Sequence, residues 1–304
     1  MIAGLHRVGP IRRFTSRRSS GFTLAEMVIA IVITAIVAAA VAVFIRLPVR
    51  GYVDSVARAD IADTGDAALR RIARDLRLAL PNSVRLTTDG SGNQYLEFLL
   101  TRTGGRYLSA DDFPSTGNIL DFRPGGGSTF DVVGPMPSTV ETIQAGDSVV
   151  VHNTGGAQAG FDAYYTTGSS NRALINSVAG NTITMASNPF ASQTISNPSP
   201  NYRFQIVSGP VTYRCDLTAH TLTRYWNYTI AQTQPNSIAT LSTGASKNAL
   251  AAIGVTGCVF NYTPVANASA ALAELNLVLS APASDNGNGG SVSLFQQVHV
   301  DNTP

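Results

Sequence analysis

The chain has 304 residues, 44% of them hydrophobic and only 13% charged, which is ample for a sizeable core. Arg7, Arg12, Arg13, Arg17 and Arg18 precede Gly21 with no acid among them, so removing them leaves 16 cations against 19 anions. A body with that balance, and with Lys247 as its one lysine, excludes a general electrostatic footprint for nucleic acid.

Residues 1–20 are polar and basic. From Met27 to Ile45 every residue is apolar except Thr34, and Arg46 closes the run. Nineteen helical residues rise ~28 Å, close to the ~30 Å of a bilayer's hydrocarbon core. A secretory signal peptide would have a shorter apolar stretch ending at a small-x-small cleavage site, and Arg46-Leu47-Pro48 is a poor one. An ordinary signal anchor fits the length and the basic flank. It leaves Glu26 unexplained, because a carboxylate at the edge of a membrane helix costs free energy and asks for a partner.

The next apolar positions are Val53, Val56, Ala57 and Ile61, then Leu69, Ile72, Leu76 and Leu80. Their three- and four-residue spacing predicts an amphipathic helix ending before Pro81, with Gly51 and Gly65 as points of bending or interruption. Asp54/Arg58, Asp66/Arg70 and Arg71/Asp75 are expected as i,i+4 pairs on its polar side. Arg70, Arg74 and Arg77 make a short basic stripe on a solvated face.

Beyond Pro81 the period changes to that of strands. Ser83–Thr87 and Gln94–Thr101 flank the turn Asp89–Asn93. Further strands are expected at Asp147–His152, Thr182–Ala186, Tyr202–Val207, Val211–Cys215, Thr221–Tyr228, Gly257–Tyr262, Leu275–Leu279 and Ser291–Val300. Alternation puts Trp226 and Tyr228 on one face and Tyr225 on the other, most simply as core. Residues near 152–200 are rich in Ser, Asn, Thr and Gly and read as an insertion in the head. Cys215 and Cys258 lie on predicted strands of an exported head, which favours one disulfide over two free buried thiols.

The run Arg17-Arg18-Ser19-Ser20-Gly21-Phe22-Thr23-Leu24-Ala25-Glu26, followed by the apolar segment, resembles the leader and anchor of type IV prepilins. The resemblance implies cleavage between Gly21 and Phe22, methylation of the new Phe22 amine, and a role for Glu26 in subunit assembly. Ala25 departs from it, since a larger aliphatic residue is usual there. It also implies an α+β pilin-like fold, with a long N-terminal helix packed on an antiparallel β-sheet head. The expected divisions are a leader over 1–21, a membrane or filament-core half-helix over 22–47, an amphipathic half over 48–80 and a periplasmic head over 81–304.

Other segments narrow the likeness. Phe44–Val49, Ala68–Arg77, Ala79–Val84, Arg203–Val207 and His299–Pro304 resemble minor pilins of the MshO type from mannose-sensitive haemagglutinin (MSHA) pili. Val211–Cys215 with Leu222–Tyr225 is similar to a wider group, the PilW-type minor pilins and GspJ-type secretion pseudopilins. The likeness is poor between residues 100 and 200. It implies a structural subunit that helps to initiate a pilus, and no enzyme. The partners implied are other minor pilins, the major pilin, the prepilin peptidase and methyltransferase, and an inner-membrane assembly platform driven by a cytoplasmic ATPase. It implies a single-pass inner-membrane protein with its head in the periplasm, later carried to the pilus surface. A type II secretion pseudopilin and a tip adhesin are the alternatives.

No motif for catalysis stands out. His152, His220 and His299 are far apart without metal-ligand spacing, and Gly125-Gly126-Gly127 lacks the Lys-Ser/Thr of a phosphate loop. No cofactor is expected. Asp89–Asn93 and Asp285–Gly290 are the two oxygen-rich loops open to calcium, each lacking a closing carboxylate, and each reads first as a hairpin turn.

Overall fold

A computed structural model describes residues 21–136, 142–167, 169–263, 269–281 and 290–304. The chain divides into two compact units between Val53 and Asp54. Helix α1 (Leu24–Arg77) supplies residues to both and runs on through Pro48, Gly51 and Gly65. It ends at Arg77, three residues earlier than the spacing predicts.

Among the described residues, nothing buries the apolar segment of α1 in the first unit. Its most hydrophobic window has a mean hydropathy of 3.1 and none of it is buried. The Thr34 hydroxyl donates to the Ala30 carbonyl one turn back. A hydroxyl that is satisfied within its own helix is tolerated in hydrocarbon.

In the second unit α1 buries Ala68, Leu69, Ile72, Ala73 and Leu76, a stripe at three- and four-residue spacing. These join one core with residues from two sheets. Gly65 belongs to the same contact. A Cβ there would stand 2.5 Å from Leu294 Cδ1 and 2.7 Å from Leu279 Cδ1. The missing side chain lets those leucines reach the helix backbone.

The larger sheet contains β1 (Arg85–Thr88), β2 (Gln94–Tyr107), β3 (Thr129–Val133), β4 (Ser148–Val150), β5 (Arg172–Ala179), β6 (Thr182–Met185), β7 (Arg203–Asp216), β8 (Thr221–Trp226) and β9 (Lys247–Ile253). The smaller is an antiparallel meander of β10 (Val255–Thr263), β11 (Ala270–Ser280) and β12 (Ser291–Asp301). The chain passes from one sheet to the other at Gly254, whose φ of 73° and close approach to the Ser280 carbonyl leave no room for a Cβ. The head is therefore antiparallel β on a long helix, the α+β class the sequence implies.

The two longest strands of the larger sheet organise it. Strands β2 and β7 pair from Gln94↔Cys215 to Arg106↔Arg203, with irregular register around Thr101. Gly209 and Pro210 sit opposite that irregularity, where a missing N–H is tolerated. The two strands expected at Tyr202–Val207 and Val211–Cys215 are thus one. On one side of the bulge β1, β8 and β9 extend the sheet over α1. On the other, β3, β6, β5 and β4 link β2 back to β7, so the ring β2-β3-β6-β5-β4-β7 closes. Phe130, Ile183, Ile175, Phe204, Ile206 and Val149 form its own core, separate from that under the helix. The Ser/Asn/Gly-rich stretch near 152–200 carries β5 and β6 of this ring.

Two expectations from periodicity are corrected. Asp75 does not face solvent beside Arg71; it is buried, 2.8 Å from Arg224 Nε and accepting from the Tyr213 hydroxyl at 2.8 Å. It follows Ile72 by three residues and so lies on the inward stripe. Tyr225 and Tyr228 are together in one cluster with Tyr95 and Leu241, while Trp226 packs beside the helix-facing core and under Arg224. Strand β8 ends at Trp226, and Asn227 at φ 63° breaks the alternation. Asp66 and Arg70 do pair, at 2.8 Å on the open surface.

Glu97 is 0% exposed, with Arg85 Nε at 3.0 Å and the Tyr228 hydroxyl at 3.2 Å. Burial pushes its pKa above the ordinary 4.5, although Arg85 and Tyr228 pull it down. The folded state then holds this proton more tightly than the unfolded chain does. Its contribution to stability is complete below 4.5 and is lost as pH rises through the raised folded value. A pH series of urea midpoints should show this fall for the native chain and its absence in Glu97→Gln; parallel profiles would assign the slope to other groups.

Candidate processing and assembly site

The start of α1 follows from three residues. Among the described residues, none stands within 4 Å of a Cβ at Gly21, and Phe22 is 80% exposed. Thr23 stands at the cap position. Its Oγ1 accepts from the Glu26 amide at 3.3 Å, and the Glu26 carboxylate accepts from the Thr23 amide and hydroxyl at 3.2 Å each. This reciprocal capping box satisfies two amides that the first turn otherwise leaves unpaired. Thr23-Leu24-Ala25-Glu26 before an apolar run is the sequence sign of such a box, so Thr23 is a functional neighbour that the reading of Glu26 alone passes over.

Glu26 accordingly has a local partner within its own chain. A capping interaction is worth about 0.5–2 kcal/mol and glutamine can also make it. What a cap cannot supply is neutralisation of charge: the carboxylate remains exposed at the head of an apolar segment. Phe22, whose amine cleavage would free, is four residues before Glu26. The leader residues 1–20 lie outside the described residues.

Cys215 on β7 and Cys258 on β10 are joined by a disulfide with Cα atoms 6.4 Å apart. It ties the larger sheet to the smaller within the core beneath α1. Asp89 does not offer open oxygens. Its carboxylate accepts from the Ser91 and Asn93 amides at 2.9 and 3.0 Å, from Asn93 Nδ2 at 2.9 Å and from the Tyr95 hydroxyl at 3.1 Å. Burial raises its pKa, but the hydrogen bonds from Asn93, Ser91 and Tyr95 outweigh this and hold it below the usual range. The Asp89–Asn93 loop is a hairpin that spends its carboxylate on its own backbone. Residues 285–289 of the second loop lie outside the described residues. Among the described residues no three His, Cys, Asp or Glu side chains gather as metal ligands. His152 instead contacts Asn197 Oδ1 at 2.7 Å and His220 the Val255 carbonyl at 3.1 Å.

Residues 16–42 match a family model described as the prokaryotic N-terminal methylation motif. Neither a curated protein nor a solved structure matches the chain. The motif, the unpacked apolar helix and the antiparallel head together support a type IV pilin-like or pseudopilin-like protein. Such a motif indicates a structural subunit that is processed by a prepilin peptidase, anchored through its apolar helix and handled by membrane pilus-assembly machinery.

Proposed function

We propose that this chain is a minor pilin of an MSHA-type type IV pilus, acting with other minor pilins in the inner membrane to initiate assembly of the major pilin. The observation that carries the reading is the methylation motif over residues 16–42, placed directly on an apolar helix that none of the described residues buries. An apolar segment of that length is stable in lipid or against other such helices, and a prepilin subunit uses both in turn. Cleavage after Gly21 leaves Phe22 as a methylated terminus. The Glu26 carboxylate of one subunit then pairs with the Phe22 ammonium of its neighbour, which lowers the cost of both charges in lipid and sets axial register.

The capping box makes this testable against a purely local role. Glu26→Gln keeps the cap and removes the charge; Glu26→Ala removes both. If the charge pair operates, both variants are exported, cleaved and folded, yet both are recovered with other minor pilins in reduced amount and give fewer surface pili. Glu26→Asp should fall between, since the shorter side chain reaches less far. Normal assembly by Glu26→Gln would leave the residue only its cap. A deletion separates pilus from secretion system: loss of pili supports the proposal, whereas loss of a secreted enzyme with pili intact points to a type II secretion pseudopilin.

A further inference from the structure

The ring carries a cleft at the end of β2, remote in sequence from the processing site. It has a volume of about 530 Å³ and lies between the turn at 109–111 and the segments 119–123 and 198–202. Small-molecule sites fall in this size range and combine apolar walls with a few polar groups. Here Pro198 and Pro200 are exposed, and Phe122 and Tyr202 are partly so. Both rings pack on Tyr107 with centroids 5.9 Å apart, Phe122 tilted by 45° and Tyr202 edge-on at 78°. Two features cost stability without serving this packing. Tyr202 has a φ of 54°, in the left-handed region that a bulky residue rarely adopts. Tyr107 is 1% exposed, yet among the described residues its hydroxyl proton finds no acceptor, with the Ser199 amide beside it. Glycine at 202 would relieve the first cost, and phenylalanine at 107 the second. What Tyr202 gains is a fixed ring. Its hydroxyl donates to Asp111 Oδ2 at 2.8 Å, and the Arg106 guanidinium carbon stands 5.1 Å from its centroid. Strain of this kind gathers where a side chain must be held ready for a ligand.

We infer that this cleft binds a neutral saccharide. A sugar ring has an apolar face of C–H groups and a rim of hydroxyls. The C–H face suits the negative face of an aromatic ring, and Phe122 and Tyr202 supply two such rings. The hydroxyls need acceptors and donors in fixed geometry. Asp121 and Arg123 offer both as a forked pair, with Arg123 Nε 2.9 Å from Asp121 Oδ1 and Nη2 2.9 Å from Oδ2. Asp111 offers a further acceptor on a capped turn, its amide donating to the Ser109 hydroxyl at 3.2 Å. The charges favour a neutral ligand. Arg123 neutralises Asp121 and Asp112 neutralises Arg106, so Asp111 alone is uncompensated among the described residues of the cleft. An acidic polymer finds no free cation in the lining. A basic peptide finds one carboxylate at the surface, which attracts weakly in water, and gains nothing from the forked pair.

The test uses the full chain in a detergent without sugar groups. It is applied to an array of neutral hexose and N-acetylhexosamine oligosaccharides, printed beside polygalacturonate and hexa-arginine. A retained oligosaccharide is then titrated by calorimetry into the native chain and its variants. Asp111→Ala and Arg123→Ala should each weaken binding about tenfold, the loss of one charged hydrogen bond. Arg203→Ala, next to Tyr202 in sequence but outside the cleft, should leave it unchanged. Asp111 and Arg123 are both exposed, so an unchanged urea midpoint in each variant controls for folding. No neutral oligosaccharide bound with a dissociation constant below about 1 mM, binding that both variants keep within about twofold, or retention only of polygalacturonate or hexa-arginine would overturn the inference. None of these outcomes bears on Glu26, which lies in the other unit.

Discussion

Replacing Asp75 with alanine is expected to lower the stability of the head by about 3–5 kcal/mol, because it leaves a buried guanidinium without its counter-ion. Asp75 is the one acid on the inward stripe of α1, and Arg224 and Tyr213 both reach it at 2.8 Å from the sheet. Burial, and then the negative charge of Asp75, push the Tyr213 hydroxyl well above its ordinary pKa of 10.0, so it stays protonated and donating. The network fixes which turn of the helix lies on which strand, something that interchangeable leucines specify less well. Asp75→Asn keeps acceptors but loses the charge, and should lie between. Trp226 stacks with Arg224, its ring centroid 4.9 Å from the guanidinium carbon, so tryptophan fluorescence during urea denaturation of the detergent-solubilised chain reads this site directly. A loss below about 1 kcal/mol would mean that water or a neighbouring group takes over from Asp75.

Loss of the Cys215–Cys258 disulfide should have a comparable effect. The bridge spans 43 residues of sequence. Closing a loop of that size stabilises by ~4 kcal/mol in the chain-entropy model, and somewhat less in practice. Because it joins two sheets that otherwise meet through side-chain packing, the strand switch at Gly254 and a hydrogen bond from the Phe260 amide to Gln94 Oε1, the double Cys→Ala chain should unfold at lower urea by about that margin. Thiol labelling of denatured, unreduced protein offers an independent check. Neither cysteine should react; stoichiometric reaction of both would refute the bridge.

Much of this architecture was legible before any coordinates. The methylation motif, the apolar span, the amphipathic continuation, the strands from Gln94 and Val211 onward and the cysteine pair all carry strong local signals. The closure of the ring did not, although the expected strands at Asp147–His152 and Thr182–Ala186 correspond to β4 and β6. Strand β5 of the ring runs through Asn and Ser, β3 is only five residues long, and β9, outside the ring, is Lys-Asn-Ala-Leu-Ala-Ala-Ile. Such segments become strands because neighbours pair with them, and pairing across tens of residues leaves no local period. Asp75 was misplaced for a related reason: its charge suggested solvent, while its position three residues after Ile72 placed it inward. Tyr228 failed on a single left-handed residue, Asn227. At the candidate site, the type and spacing of Gly21, Phe22 and Glu26 carry only the resemblance to prepilins, whereas the cap made by Thr23 escaped attention although its motif was complete.

We propose that this chain enters the membrane as a prepilin and is cut between Gly21 and Phe22. Intact mass and N-terminal peptide analysis of protein taken from membranes with an active prepilin peptidase tests it most directly. The expected chain begins at Phe22 with a methylated amine. Recovery of the chain with residues 1–21 still attached, or cut elsewhere within the apolar segment, would contradict it.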